Sequence, residues 1–166
     1  MTTHVLVGAV VGARTRNPAT AYGLGVLSHF VLDAVPHWGL DGDHDEFMRI
    51  AVRDGLGGLA ALVAVAALSP SGSRRSVLAG AIGAATPDLD APYAEITGRG
   101  LWPRPVKWFH GVIQRESPER MRQELATLAA AALLGAGYLA LLRAFSPPPS
   151  RHCTLLACRG QLDRAG

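Results

Sequence analysis

The stretch Asn17-Pro18-Ala19-Thr20-Ala21-Tyr22-Gly23-Leu24-Gly25-Val26-Leu27-Ser28-His29-Phe30-Val31-Leu32-Asp33-Ala34-Val35-Pro36-His37-Trp38 decides the fold. Asn17 followed by Pro18 is a helix start, with the amide at the cap and proline at the first helical position. The helix carries Ala19 to about Val35, where Pro36 disfavours a helical backbone at the preceding residue. On that helix His29 and Asp33 are four apart and share one face. A carboxylate among Phe30, Val31, Leu32 and Val35 is costly unless it is paired or bound to a cation. His nitrogen and Asp oxygen are ligand types of catalytic zinc sites. A structural N–H···O contact between His29 and Asp33 is the plain alternative. His37 lies just past the helix end, near the same face.

Working outward, no segment alternates with period two over a useful length, so no sheet is expected. Val5–Ala13 reads as a short helix capped by Thr2 or Thr3. A third helix starts near Asp43–Asp45 and runs to about Leu68 through Gly55, Gly57 and Gly58. Ser69-Pro70-Ser71-Gly72-Ser73 is a loop. A fourth helix opens at Ser73 or Arg74 and stops at Thr86-Pro87. Asp88 to Pro105 reads as irregular, followed by a short helix around Val106–Arg115. Ser117-Pro118 opens the longest helix, ending near Phe145. The expected fold class is therefore all-α, a bundle of about five to six helices associated with a membrane. Residues 1–145 form one helical domain, and 146–166 form a Pro-rich break and a disordered tail.

Composition narrows the function classes. The 166 residues are one domain by length, 49% hydrophobic and only 17% charged, with net charge +3. Dispersed arginines and a single lysine, Lys107, make no basic stripe interleaved with aromatics, which excludes nucleic acid as a partner. Cys153 and Cys158 cannot frame a disulfide scaffold. The start Met1-Thr2-Thr3-His4 lacks a basic region, so no cleavable signal peptide is expected. Gly55–Ser73 and Leu125–Leu142 are free of charge and approach the ~20 residues of a bilayer span. Small residues at every turn of the second suit packing between spans. A soluble bundle with Ala-rich buried helices is the alternative. Arginines flank both ends of the last segment, so loop charge sets no orientation.

Further ligand candidates follow. Thr86-Pro87-Asp88-Leu89-Asp90-Ala91-Pro92 puts two carboxylates two apart on a Pro-bracketed turn, able to present oxygens to a cation or simply to close the turn. His110, within Lys107-Trp108-Phe109-His110-Gly111, is a candidate ligand or general acid/base. His4 has no evident structural need. Asp41, Asp43 and Asp45 have the spacing of a calcium loop, but Glu46 and Val52 stand where it requires Gly and Glu. There is no Gly-rich phosphate loop with Lys-Ser/Thr and no G-x-S-x-G elbow.

Together, Thr3-His4-x-x-x-Gly8, Gly25-x-x-Ser28-His29-x-x-x-Asp33 and Pro87-Asp88-Leu89-Asp90 resemble the predicted membrane-bound metal-dependent hydrolases, small helical proteins of bacteria and archaea. The H-x-x-x-D step is also similar to that of the zinc-dependent phospholipases C and zinc nucleases. The resemblance covers roughly residues 3 to 115. It implies His29 and Asp33 as metal ligands, with His4, Asp88 and His110 completing or neighbouring the site, and His37 and Asp90 at its margin. Three departures stand out. PDxD follows the SHxxxD helix instead of preceding it, Ala91 stands where a histidine is expected, and no HRxxTH segment is present. They weigh against an intact multi-zinc centre and leave a mononuclear or degenerate one.

The leading expectation is a metal-dependent hydrolase of the cell membrane, with a divalent metal ion, zinc or manganese. His29, Asp33, Asp88, His110, His4 and His37 would hold it and Asp90 would act catalytically. The resemblance, not any single residue, implies membrane lipid or a small phosphoester as substrate. The alternatives are a non-catalytic helical membrane protein with structural His and Asp residues, and a soluble metal-binding bundle.

Overall fold

The computed structural model describes residues 1–39 and 44–145. Among these the chain is all-α. Its helices are α1 (Thr2–Gly12), α2 (Pro18–Asp33), α3 (His44–Leu68), α4 (Arg74–Ala85), α5 (Asp90–Thr97), α6 (Arg104–Ile113) and α7 (Met121–Ala144), with 3-10 turns at Pro87–Leu89 and Pro118–Arg120. The only strand-like pairing among the described residues is one isolated bridge between His37 and Glu116. The acidic run's Asp41 and Asp43, and the segment from 146 onward with both cysteines, lie outside the described residues.

Helix starts follow local chemistry. Asn17 Oδ1 accepts from the N–H of Ala19 at 2.9 Å and of Thr20 at 3.3 Å, the expected cap. The helix ends at Asp33, two residues before the expected Val35, as the chain turns into Pro36. α1 begins earlier than expected, so that His4 sits in its first turn. The reason is tertiary: Asp54 of α3 takes the Met1 amine at 2.5 Å and the Thr2 N–H at 3.1 Å, serving as a cap from another helix.

Helix α5 corrects the expectation of an irregular 88–105 segment and brings the α-helices among the described residues to seven. Pro92 is its third residue, where no intrahelical N–H is needed, and Gly98 closes it with φ 68° in the left-handed region.

Three helices form the centre. α4 crosses α1 and α2 at backbone contact, where Val77, Ala81 and Ala84 are fully buried. A Cβ on Gly8 would meet the Gly80 carbonyl at 2.5 Å, and one on Gly25 would collide with the same carbonyl. Small residues at these crossings let the helix axes approach closely, as in membrane helix pairs. α3 and α7 flank α1. Thr3 Oγ1 bonds Glu124 at 2.9 Å near the start of α7, and Arg143 reaches the Ala67 carbonyl at 3.1 Å at the far end.

The outer faces are apolar. Leu27 and Val31 on α2, Leu56 and Val63 on α3, and Leu133, Leu134 and Leu141 on α7 are exposed. His44–Leu68 and Pro118–Ala144 are long and apolar enough to cross a membrane, and little of either is buried in the bundle.

Candidate metal centre

The site forms where the N-terminus of α1, the C-terminus of α2, the turn after α4 and the inner side of α6 meet. His29 is wholly buried and Asp33 is 2% exposed. Asp33 Oδ2 lies 3.0 Å from His29 Nε2 and 2.8 Å from His110 Nε2, while Oδ1 lies 3.4 Å from His4 Nε2. Asp88 Oδ1 is 3.6 Å from His29 Nε2 and 3.9 Å from His110 Nε2. The Nε2 atoms of His29 and His110 are 3.1 Å apart. Two overlapping sets of donor atoms result, His4 with His29 and Asp33, and His29 with Asp88 and His110; within each set all atoms lie within 4.8 Å of one another.

One hydrogen bond fixes the chemistry. A carbonyl can only accept, so His29 Nδ1 donates to the Ala84 carbonyl, 2.8 Å away. In the neutral ring Nε2 is then a lone pair. It faces a carboxylate oxygen and a second imidazole nitrogen, an arrangement that favours a cation or a proton between them. Anchoring the remote ring nitrogen on a backbone carbonyl is how metal-binding histidines are oriented. The donor set therefore fits a divalent ion.

Protonation preferences divide: a neutral His4 and an ionised Asp33 are ready to ligate, whereas His110 and Asp88 hold their protons more tightly than usual. Burial and the neighbouring His29 push His4 down to about 3, so its ring is neutral. Burial pushes Asp33 up, but the His110 hydrogen bond and the neighbouring imidazoles outweigh it and hold its carboxyl below the usual range. The Asp33 hydrogen bond raises His110 against the effect of burial. Burial raises Asp88. His4 Nδ1 is buried with no hydrogen-bond partner among the described residues.

Two expected residues, His37 and Asp90, lie outside the two donor sets, pair with other groups and line the adjoining cavity. His37 turns to Glu116, with Nε2 3.7 Å from its carboxylate and Nδ1 donating to the Val35 carbonyl at 2.9 Å. The cause is Pro36, after which the chain runs beside 115–117 through His37 N–H to Arg115 carbonyl and Ser117 N–H to His37 carbonyl bonds. Asp90, expected to be catalytic, bonds the Trp102 N–H at 2.8 Å and Lys107 Nζ at 3.1 Å. Oδ1 ties α5 to the loop before α6, and Oδ2 ties it to α6 itself. Sequence reasoning missed Gln114, whose Nε2 is 3.3 Å from His110 Nε2, although it stands one helical turn after His110.

The centre opens into a cavity of about 810 Å³ between the N-terminal parts of α3 and α7. His4, Asp33, Asp88 and His110 face it from one side, and Phe47, Met48, Ile50, Trp38, Met121 and Leu128 make apolar walls. Its size suits a small-molecule site with a few polar groups in an apolar surround.

Comparison of the chain with protein-family models, curated proteins and solved structures finds no match in any of the three.

Proposed function

We propose that this protein is a membrane-embedded hydrolase built on a divalent-metal centre held by His4, His29, Asp33, Asp88 and His110. The observation that carries the reading is the His29 ring, pinned through Nδ1 to the Ala84 carbonyl with Nε2 turned to Asp33, Asp88 and His110. Imidazole and carboxylate donors in this mix suit zinc or manganese. When bound, such an ion lowers the pKa of a coordinated water and polarises a phosphoryl or ester oxygen. The chain's own contribution is to hold three rings and two carboxylates with their donor atoms inward and to shelter them in an apolar-walled cavity. That cavity suits an amphiphilic phosphoester.

Membrane embedding is supported by a charge-free slab across the bundle. Residues 5–13, 17–32, 55–73, 76–87 and 125–142 contain no Asp, Glu, Lys or Arg. Exposed leucines and valines on α2, α3 and α7 line its outside. Contiguous exposed apolar surface of this kind marks a membrane or protein contact.

A second reading has an observation of its own. The 2.8 Å His110–Asp33 bond can satisfy the carboxylate as a plain ion pair, making the cluster a helix lock. Elemental analysis of the detergent-extracted protein separates the two. Near-stoichiometric zinc or manganese, lost in Asp33→Ala, supports the metal centre and justifies a phosphoesterase screen. A folded wild type without metal, even after reconstitution, leaves the helix lock.

A further inference from the structure

We propose that the outward face of α6 is an anchor in the bilayer interface, with Trp108 and Val112 among the upper acyl chains and Arg104 and Arg115 at lipid headgroup phosphates. The inference rests on the membrane reading above and adds the element that meets lipid at the mouth of the centre.

The face is defined by spacing. Arg104, Trp108 and Val112 follow at four-residue steps and so lie along one side of the helix, and Arg115 follows two residues past its last helical residue, Ile113. Trp108 is 70% exposed and Val112 61% exposed. The opposite side carries His110, whose Nε2 is 2.8 Å from Asp33. The two tryptophans of this region behave differently. Trp102 donates its Nε1–H to the Pro87 carbonyl at 3.0 Å and is half-covered. The Trp108 indole has no hydrogen-bond partner among the described residues and stands outward. A ring with an apolar body and a free polar tip is the side chain that collects at membrane–water boundaries.

Charge and continuity select lipid as the occupant. Lys107 is exposed but paired with Asp90 at 3.1 Å, whereas Arg104 and Arg115 are exposed and make no ion pair among the described residues. Basic side chains flanking an apolar stripe are the pattern of a helix lying in an interface. The stripe does not end at α6. The Phe109 ring meets Phe30 edge-on at 5.3 Å, joining α6 to the exposed Leu27 and Val31 of α2. Leu27 and Val31 belong to the charge-free slab, and α6 lies where the slab gives way to the polar end of the bundle.

The test uses full-length protein reconstituted into phosphatidylcholine nanodiscs with plain or brominated acyl chains. Emission of wild type minus that of Trp108→Phe isolates Trp108 from Trp38 and Trp102. Brominated lipid is expected to remove most of this difference emission, and the double variant Arg104→Gln, Arg115→Gln to restore part of it. Equal Trp108 emission in both lipids overturns the proposal. Acrylamide then shows whether water, or a protein partner or second copy, covers the face instead. A double variant quenched as deeply as wild type overturns the headgroup pairing. A carbonate wash of membranes separates the two levels of the argument. Release of the protein ends the membrane reading itself, whereas retained protein with unquenched Trp108 ends only the α6 anchor.

Discussion

His29 and Ala84 are 55 residues apart, yet the Nδ1–H of one donates to the carbonyl of the other across 2.8 Å. The bond ties the end of α2 that carries His29 and Asp33 to the last turn of the central helix α4. It also uses a carbonyl that α4, ending there, leaves without an intrahelical partner. His29→Ala removes a donor that is itself wholly buried. Leaving the carbonyl unsatisfied is expected to cost about 1–3 kcal/mol, beyond the loss of the ring's packing. Denaturant unfolding in mild detergent measures it.

Asp33→Asn separates charge from shape. The amide fills nearly the same volume, so a bundle held by packing survives the change. The carboxylate that faces three imidazoles is gone. Helical circular dichroism is expected to stay near wild type while bound metal falls to background. Retained metal in Asp33→Asn would remove this residue from the centre.

Gly80→Ala tests the central crossing. The added Cβ would collide with the Gly8 carbonyl and lie 2.7 Å from Gly12 Cα, and backbone cannot move aside as a side-chain tip can. Overpacking of this kind costs about 1–3 kcal/mol or more. Because α4 also holds His29, metal affinity is expected to drop with stability. Gly23→Ala and Gly55→Ala are the controls. Nothing lies within 4 Å of either added Cβ, so higher helix propensity should stabilise each by up to about 1 kcal/mol.

His37 supplies a pH dependence. The Glu116 carboxylate, helped by the Val35 carbonyl and opposed by burial, raises it from 6.5 to about 9. The folded protein therefore binds more protons than the unfolded chain between these values. The stabilisation is complete below pH 6.5 and is lost as pH rises through about 9. Glu116 is 40% exposed, so solvent keeps the effect small. Thermal unfolding from pH 6 to 9.5 should show the decline, and His37→Gln should flatten it.

Much of this architecture is legible in the chain because the signals are local. Asn17-Pro18 announces α2, and the four-residue step from His29 to Asp33 places both side chains inward. What escapes is set by distant partners. The early start of α1 depends on Asp54, and the exclusion of His37 from the cluster depends on the pairing of 37–39 with 115–117. Asp90 has the same residue type and turn as Asp88, yet Lys107 and the Trp102 N–H claim it. The Ala84 carbonyl, which orients His29, is a backbone atom that no side-chain pattern encodes. α5 was hidden because Pro92 reads as a helix breaker unless the helix is known to begin at Asp90.

The donor residues run from His4 in α1 to His110 in α6, and α7 contributes none of them. During synthesis the first ligand is made long before the last, and α1 with α2 must wait, half-finished, through α3 and α4. The centre closes only when α6 has been added. It is thus a late event in assembly, and a chain interrupted before His110 would hold the helices of the bundle's centre without the full cluster of imidazoles and carboxylates.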